Sequence, residues 1–327
     1  MKFFNVFTSF FTGASKDCYL ANLNGRKFNS LYSYYYLQNN TEEEIIDGFS
    51  TNTGEIFIDS GAFTAWSKDI SIDVEKYINW INKYDEYVSA FGQIDAIPPR
   101  GSGFEVLEEY CQKTWQNYLY MIDRVKSPKK ILYTFHFGES FEWLKKALEF
   151  RFPDGSPMEY MAFGGLVGRT TQERVLFLNR AFEIVKNSSN PNIKIHGFGV
   201  SSKNMWTHYP FYSCDSYTPG FNATYGYTFN EFGAYREPDY KKHFKPKKPD
   251  TKGALFKTME VKAYEDYEEM MENATEEEKR KILLDRQMNR SKLLTDNIEY
   301  WTNLAESIGE VEFNPINRII KEEDRNG

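Results

Sequence analysis

The strongest constraint on the fold is a regular alternation of two patterns along most of the chain. Short apolar runs, each closed by Gly, Asp or Ser, are separated by longer segments whose apolar residues recur three and four positions apart. The first pattern is typical of buried strands, and the second is typical of helices with one buried face. The alternation therefore predicts repeated βα units with parallel strands.

The apolar runs predict strands, and the segments between them predict helices. The predicted strands cover residues 6–11, 55–58, 90–94, 130–135, 160–163, 194–198 and 211–214. The predicted helices cover residues 73–88, 104–125, 141–150 and 170–185, and the last opens with a capping box of Thr170 and Glu173. Seven or eight such units favour a (β/α)8 TIM barrel, because no phosphate-binding Gly-rich turn follows an early strand. An open doubly wound sheet stays the alternative.

Two regions depart from this repeat. Residues 216–254 have little periodic pattern and predict a long insertion loop, so the barrel core is expected to span residues 1–254. Residues 255–327 are expected to form C-terminal peripheral helices that pack on the barrel or complete it, with a capping box of Thr275 and Glu278. The tail from Glu310 carries few structural signals.

Composition limits the function classes. The chain has 327 residues and 41% hydrophobic content, which suffices for a large core and argues against a disordered or fibrous protein. Its net charge of −7 means that a nucleic-acid partner must be held by a local basic patch. The three widely spaced cysteines, Cys18, Cys111 and Cys214, predict neither a disulfide framework nor a zinc knuckle, and they fit a reducing cytoplasm. No run approaches the roughly 20 apolar residues of a membrane-spanning helix, so no membrane association is expected.

Polar residues directly after the apolar runs are the first candidates for chemistry, because catalytic groups of a barrel lie at the C-terminal ends of its strands. Three of them are carboxylates, Asp59, Asp95 and Asp215, which converge on one mouth if the chain forms a barrel. Convergent carboxylates without Cys or multiple His ligands suit reactions at an anomeric carbon, where one carboxylate attacks and another moves a proton. The Gly164-Gly165 pair lets backbone N–H groups approach a flat ligand closely, as a purine pocket requires.

Four strand-end motifs resemble those of the tRNA-guanine transglycosylase superfamily. They occur in the family's order and approximate spacing, over roughly residues 55–220. In this chain the motifs are Asp59-Ser60-Gly61-Ala62-Phe63, Gly164-Gly165-Leu166-Val167-Gly168, His196-Gly197-Phe198-Gly199-Val200 and Cys214-Asp215. The resemblance implies a TIM barrel that exchanges guanine in a polynucleotide for a 7-deazaguanine base through a covalent enzyme–nucleic acid intermediate.

The resemblance also implies roles for individual residues. Asp215 is the expected nucleophile at C1′, Asp59 is the expected acid and base for the departing and incoming bases, and Asp95 is expected to accept hydrogen bonds from the guanine N1–H and 2-amino group. Where the family has Gln on its fourth motif strand, this chain has His136 or Phe137. The other substrate-binding residues that the resemblance implies are Ser60, Gly164, Gly165, Leu166 and His136.

Departures from the family pattern indicate which branch the chain resembles. Family members that act on tRNA usually carry a zinc site of three Cys and one His after the nucleophile, and this chain has no Cys after Asp215. It is most similar to the phage DNA 7-deazaguanine transglycosylases, which place bases such as preQ0 into DNA. The implied partners are DNA and a free 7-deazaguanine base, with no cofactor or metal and with the host cytoplasm as location. tRNA is the alternative polymer.

A reaction at C1′ requires a guanosine that is extracted from its stack or lies in an open strand. The aromatic residues expected to stack on bases are Trp66, Tyr217, Phe221, Tyr225 and Tyr227. The basic residues expected to contact phosphates are Lys241, Lys242, Lys245, Lys247 and Lys248, although such a run is also typical of a solvated loop.

Three other functions fit the same residues. The chain could be a zinc-less tRNA-guanine transglycosylase, an N-glycosidase that hydrolyses the bond, or a nucleic-acid-binding barrel without catalysis. His196 is assigned no catalytic part, and Cys214 is interpreted as a small buried hydrophobe.

Overall fold

The computed structural model describes residues 1–230, 233–236 and 268–317. These residues divide into two compact units. The first unit contains Met1–Ser9, Phe28–Tyr217 and the described residues from Thr302 onward, and the second contains Phe10–Lys27 and the described residues of Thr218–Trp301.

The first unit is a closed barrel of eight parallel strands, which confirms the predicted (β/α)8 TIM barrel. Each strand pairs with its neighbour in the chain, and β8 closes on β1 with Phe4 opposite Asp215. The strands are β1 (Lys2–Phe7), β2 (Asn29–Ser33), β3 (Ile56–Asp59), β4 (Ala90–Gly92), β5 (Ile131–His136), β6 (Tyr160–Gly164), β7 (Lys194–Gly197) and β8 (Ser213–Ser216).

Helices separate the strands along the chain, as the alternating pattern predicts. The capping box at Thr170 is present, since its hydroxyl accepts the N–H of Glu173 at 3.2 Å and the Glu173 carboxylate accepts the Thr170 N–H at 2.8 Å. The helices are α1 (Gly13–Leu23), α2 (Tyr34–Leu37), α3 (Glu42–Ser50), α4 (Ala62–Ser67), α5 (Val74–Tyr84), α6 (Phe104–Ile122), α7 (Phe141–Glu149), α8 (Thr171–Lys186), α9 (Lys203–Trp206), α10 (Thr218–Thr224) and α11 (Glu276–Ser307), with 3-10 turns at Asp85–Tyr87 and Pro128–Lys130. Among the helices that the structure describes, none combines the length and the apolar character needed to cross a membrane.

The barrel interior is filled by alternate residues of the strands, as the two-residue period of a strand requires. Its buried cluster consists of small and large apolar side chains that pack across the barrel axis. The members are Phe4, Leu31, Phe57, Ala90, Leu132 and Ala162, with Val6, Tyr160 and Phe198 packed against them. Because these residues fill the interior, the inward-facing side chains two residues further along the strands line the C-terminal mouth of the barrel.

Two predicted strands need correction, and one strand was missed. The first strand is β1, not residues 6–11, because its ladder with β8 already begins at Lys2. The last strand of the barrel is β8, not residues 211–214, so Asp215 lies within the ladder instead of after it. Strand β2 was not predicted at all, because its sequence begins with Asn29 and Ser30 and offers no continuous apolar run.

The second unit contains α1, α10, most of α11 and an antiparallel hairpin of β9 (Tyr227–Asn230) and β10 (Gly233–Arg236). The first part of residues 216–254, for which the sequence predicts a long insertion loop, thus contains a short helix and a hairpin, and such elements of four to seven residues are too short to show a period. Within this unit, Arg26, in the turn after α1, donates to Asp296 at 3.0 Å and to Glu299 at 2.8 Å on α11. The Thr275–Glu278 capping box is present as predicted.

The segment after α11 is also ordered by the barrel unit. The Phe313 ring stacks on Phe182 and Tyr209, with centroids 6.1 and 6.2 Å apart. The backbone N–H of Asn314 donates to the carbonyl of His208 at 2.9 Å. This tail has few sequence signals because one aromatic side chain and a few backbone contacts hold it in place.

Candidate active site

The mouth of the barrel gathers the three carboxylates that the strand-end pattern singles out. Asp59 is the last residue of β3, Asp215 lies in β8, and Asp95 follows β4 by three residues. Strands of a parallel barrel all end at the same face, so these side chains share it. They are close enough for the charges of Asp95 and Asp215 to act on Asp59.

The pKa of Asp59 is shifted far from its ordinary value. Burial raises its pKa to about 7, and the charges of Asp95 and Asp215 act in the same direction. The N–H of Gly61 donates to its Oδ2 at 3.0 Å and partly opposes the shift. Gly61 is held at φ +76°, where a side chain would meet Ser33 and Tyr35. Asp59 can therefore hold or release a proton near neutral pH, as a general acid and base must.

Asp215 is held by two hydrogen bonds, and both reach the same oxygen. Its Oδ1 accepts the backbone N–H of Gly199 at 2.9 Å and lies 3.1 Å from Nε2 of His196. Gly199 adopts φ +67°, and a Cβ there would strike Val167, so the close approach of its N–H requires glycine. Among the described residues, neither a hydrogen bond nor an ion pair reaches the other oxygen, Oδ2.

His196 is the site residue that the sequence analysis missed. Its ring is completely buried in the barrel interior, against Phe57 and Phe198 at centroid distances of 4.8 and 4.6 Å. The ladder pairs His196 with Ser213, and Asp215 follows two residues later on the same face of β8. The register needed to connect His196 with Asp215 is not visible in the sequence alone.

Asp95 is embedded in a second polar group. Its Oδ1 accepts from Gln93 at 3.0 Å, and its Oδ2 lies 3.4 Å from Nε2 of His136. The other ring nitrogen of His136 lies 3.1 Å from Glu139. Burial opposes a charged ring, but the two carboxylates outweigh it, so the pKa of His136 lies well above its usual value. His136 is thus a cation between two anions, and both of its donors already face carboxylates.

The glycine motif after β6 accommodates the protein's own side chains. A Cβ on Gly164 would lie 2.7 Å from Cδ2 of His136, so this glycine makes room for the imidazole ring. Gly165 adopts φ +71° and packs against the backbone of Phe137. Leu166 is buried. The motif therefore fixes His136 at the mouth, in addition to any backbone contact with a ligand.

Ser60 and Cys214 have structural surroundings. Ser60 is completely buried, and its hydroxyl accepts the N–H of Ala62 at 3.4 Å in the turn after β3. Cys214 is also completely buried, and burial raises the pKa of its thiol, as expected of a small hydrophobe without reactivity. All three cysteines are buried free thiols.

Aromatic and basic residues follow the strands on this face of the barrel unit, in α4 and in the loops after β4, β5 and β6. The guanidinium of Arg100 lies 5.3 Å above the Trp66 ring, and that of Arg169 lies 4.6 Å above the Phe137 ring. Phe63, next to Trp66, is 68% exposed. Trp66 was predicted to stack on bases, whereas Arg100 and Arg169 were not singled out, because isolated arginines carry no sequence signal.

The other predicted nucleic-acid contacts come from other parts of the chain. Tyr217 and Phe221 are exposed, whereas Tyr225 and Tyr227 are half-buried. Except for Tyr217, these aromatics belong to the second unit. The predicted phosphate contacts lie outside the described residues, and they are Lys241, Lys242, Lys245, Lys247 and Lys248.

Comparison with known proteins adds no relative: no family model and no curated protein matches the chain. The chemistry of the site must therefore be argued from its residues. Among the described residues, no three His, Cys, Asp or Glu side chains are arranged to hold a metal ion. What the mouth offers is a carboxyl that titrates near neutrality, a second carboxylate with one oxygen held and one open, and a third carboxylate beside a cationic histidine.

Proposed function

We propose that this protein is a guanine transglycosylase that exchanges guanine in DNA for a 7-deazaguanine base of the preQ0 type. The observation that supports it most strongly is that two carboxyl groups at the barrel mouth are suited to different roles, one to attack and the other to proton transfer. Asp215 keeps one oxygen open for attack, and Asp59, with a pKa raised to about 7, can move a proton. Such a pair is what substitution at an anomeric carbon requires.

The proposed reaction has two displacements. Oδ2 of Asp215 attacks C1′ of the nucleotide, the bond from C1′ to N9 of guanine breaks, and the departing base takes the proton of Asp59. The incoming deazaguanine then gives its N9 proton to Asp59 and displaces Asp215 from C1′. The first glycosidic bond is replaced by the second, so the exchange needs neither ATP nor a redox partner.

Asp95 is the proposed recognition group for the base. A carboxylate accepts up to about four hydrogen bonds, so the contacts with Gln93 and His136 leave lone pairs for the N1–H and 2-amino group of guanine. Adenine presents an acceptor at N1 and no 2-amino group, and would be rejected.

The loops around the mouth support a nucleic-acid substrate. Exposed aromatic rings can stack on bases that leave the helix, and arginines above such rings can reach phosphates. Phe63, Trp66, Arg100 and Arg169 provide both groups on the barrel unit itself. The choice of DNA over tRNA rests on the resemblance to the phage enzymes and on the lack of Cys after Asp215.

Exchange of labelled guanine tests this proposal without knowledge of the incoming base. The protein is incubated with radiolabelled guanine and one polymer at a time, which is duplex DNA, single-stranded DNA or tRNA. The label incorporated into the polymer is then counted. The expected result is incorporation into DNA by the parent and by Asp123→Asn, an exposed carboxylate at the end of α6. Asp215→Asn and Asp59→Asn are expected to lose about 100-fold or more.

The other outcomes distinguish the rival functions. Incorporation into tRNA alone would replace DNA with tRNA as the substrate. Abasic sites without incorporated label would indicate an N-glycosidase. DNA binding that survives Asp215→Asn, together with no exchange by the parent, would indicate a binding protein.

A further inference from the structure

A hydrogen-bonded chain of three side chains lies behind Asp215 in the barrel, and of these His196 and Ser213 are buried whereas Tyr160 is half-buried. The hydroxyl of Tyr160 lies 2.6 Å from Oγ of Ser213, and that oxygen lies 2.6 Å from Nδ1 of His196. Nε2 of His196 completes the chain at 3.1 Å from Oδ1 of Asp215. Because His196 and Ser213 have no exposed surface, water cannot substitute for either partner.

The number of protons available fixes the direction in which these hydrogen bonds are donated. A carboxylate oxygen only accepts, so Nε2 of His196 donates to Oδ1 of Asp215, and Nδ1 of the neutral ring is left as an acceptor. Burial raises the pKa of Tyr160, which therefore keeps its hydroxyl proton and can donate it to Ser213. Ser213 accepts from Tyr160 and has one proton left, which it donates to Nδ1 of His196.

The direction of the chain determines the tautomer of His196. With Nδ1 accepting from Ser213, the neutral ring carries its proton on Nε2 and donates it to Asp215. The opposite direction would aim the unprotonated Nε2 of a neutral ring at a carboxylate oxygen 3.1 Å away, which is also an acceptor. Two buried acceptors that face each other leave both without a donor, so the first arrangement is favoured.

We propose that His196 is a positioning residue for Asp215, and that Ser213 and Tyr160 hold it in the tautomer that this role requires. The proposal rests on the proposed function, since it concerns the attack of Asp215 on C1′. His196 and the Gly199 N–H both donate to Oδ1, so the carboxylate cannot rotate freely and Oδ2 is directed into the mouth. The reaction rate depends strongly on the position of the attacking atom, since a displacement of about 1 Å can lower the rate about 100-fold.

Matched substitutions at His196 test the role. His196→Phe keeps an aromatic ring among Phe57 and Phe198 but removes the donor, whereas His196→Gln restores an N–H donor. The expected result for His196→Phe is a kcat lowered about 100-fold with a KM for DNA within about threefold of the parent. His196→Gln should recover about tenfold of that loss, and Ser213→Ala should lose about tenfold because the tautomer is no longer held.

The experiment also reads the tautomer directly. In protein labelled with 15N-histidine, the parent should show His196 protonated at Nε2 alone, and Ser213→Ala should show a mixture of tautomers. Thermal unfolding of each variant confirms that it is folded. A merely structural role predicts lower stability of the variants with unchanged kcat.

Each remaining outcome decides a different claim. If the parent exchanges guanine and His196→Phe keeps its kcat, or raises KM alone, the positioning role is overturned while the proposed function stands. If the parent protonates Nδ1 instead, the direction of the chain is wrong and the proposal falls. If the parent neither exchanges guanine nor forms an adduct, the proposed function fails, and the role of His196 in attack fails with it.

Discussion

Replacing Asp59 by Asn should stabilise the protein, and the gain should grow with pH. The folded protein raises the pKa of this carboxyl from its ordinary value near 3.8 to about 7. Between those two values the folded state keeps a proton that the unfolded chain has released, so stability falls as pH rises through that window. Asn has no proton to release and escapes this loss, while its side-chain oxygen can still accept the Gly61 N–H.

The size of the effect follows from the two pKa values. Each unit of pKa difference corresponds to about 1.4 kcal/mol, so the full penalty above pH 7 is up to about 4 kcal/mol. Integrated from pH 5 to pH 8, the advantage of Asp59→Asn over the parent should increase by about 2–3 kcal/mol. Urea unfolding of both proteins at the two pH values measures it, with Asp123→Asn as the control for an exposed carboxylate. An advantage that is the same at pH 5 and pH 8 would refute the assignment of a raised pKa to Asp59.

Three further predictions follow from the same geometry. In the exchange assay, kcat/KM should fall about tenfold per pH unit above about pH 7, because Asp59 must carry a proton for the departing base, and a flat profile would exclude it as the acid. Gly164→Ala should destabilise the fold by about 1–3 kcal/mol in urea unfolding, because its Cβ would displace the His136 ring, whereas Gly103→Ala, which has open space around it, should change stability by less than about 1 kcal/mol. Phe313→Ala should lose about 1–3 kcal/mol through its ring contacts with the barrel unit, and unchanged unfolding would show that the tail contributes nothing.

The fold could be predicted because its signal is repeated. Helices α5 to α8 each carry several turns of apolar period, and the strands β5 and β6 are continuous apolar runs, so small errors at their ends did not alter the topology. Strand β2 was missed because its burial comes from tertiary packing, not from an apolar run. The hairpin of β9 and β10 was missed because four-residue elements carry almost no period.

The candidate site was predictable where a residue type alone carries the chemistry. Carboxylates at strand ends can be found by position, and Asp59, Asp95 and Asp215 were. The role of His196 depends on which residue of β8 lies opposite β7, and the sequence does not reveal that register. His136 was predicted to contact the base in place of the family's Gln, but its position between Asp95 and Glu139 depends on distances that only the structure supplies.

The central claim is that Asp215 forms a covalent bond with the sugar of a nucleotide. The most direct test is mass spectrometry of the protein after it is mixed with a guanine-containing DNA oligonucleotide, quenched in acid and digested. The account predicts a nucleotide adduct on the peptide that carries Asp215, present in the parent and absent from Asp215→Asn. An adduct on another residue, or labelled guanine entering DNA with no adduct at any quench time, would contradict it.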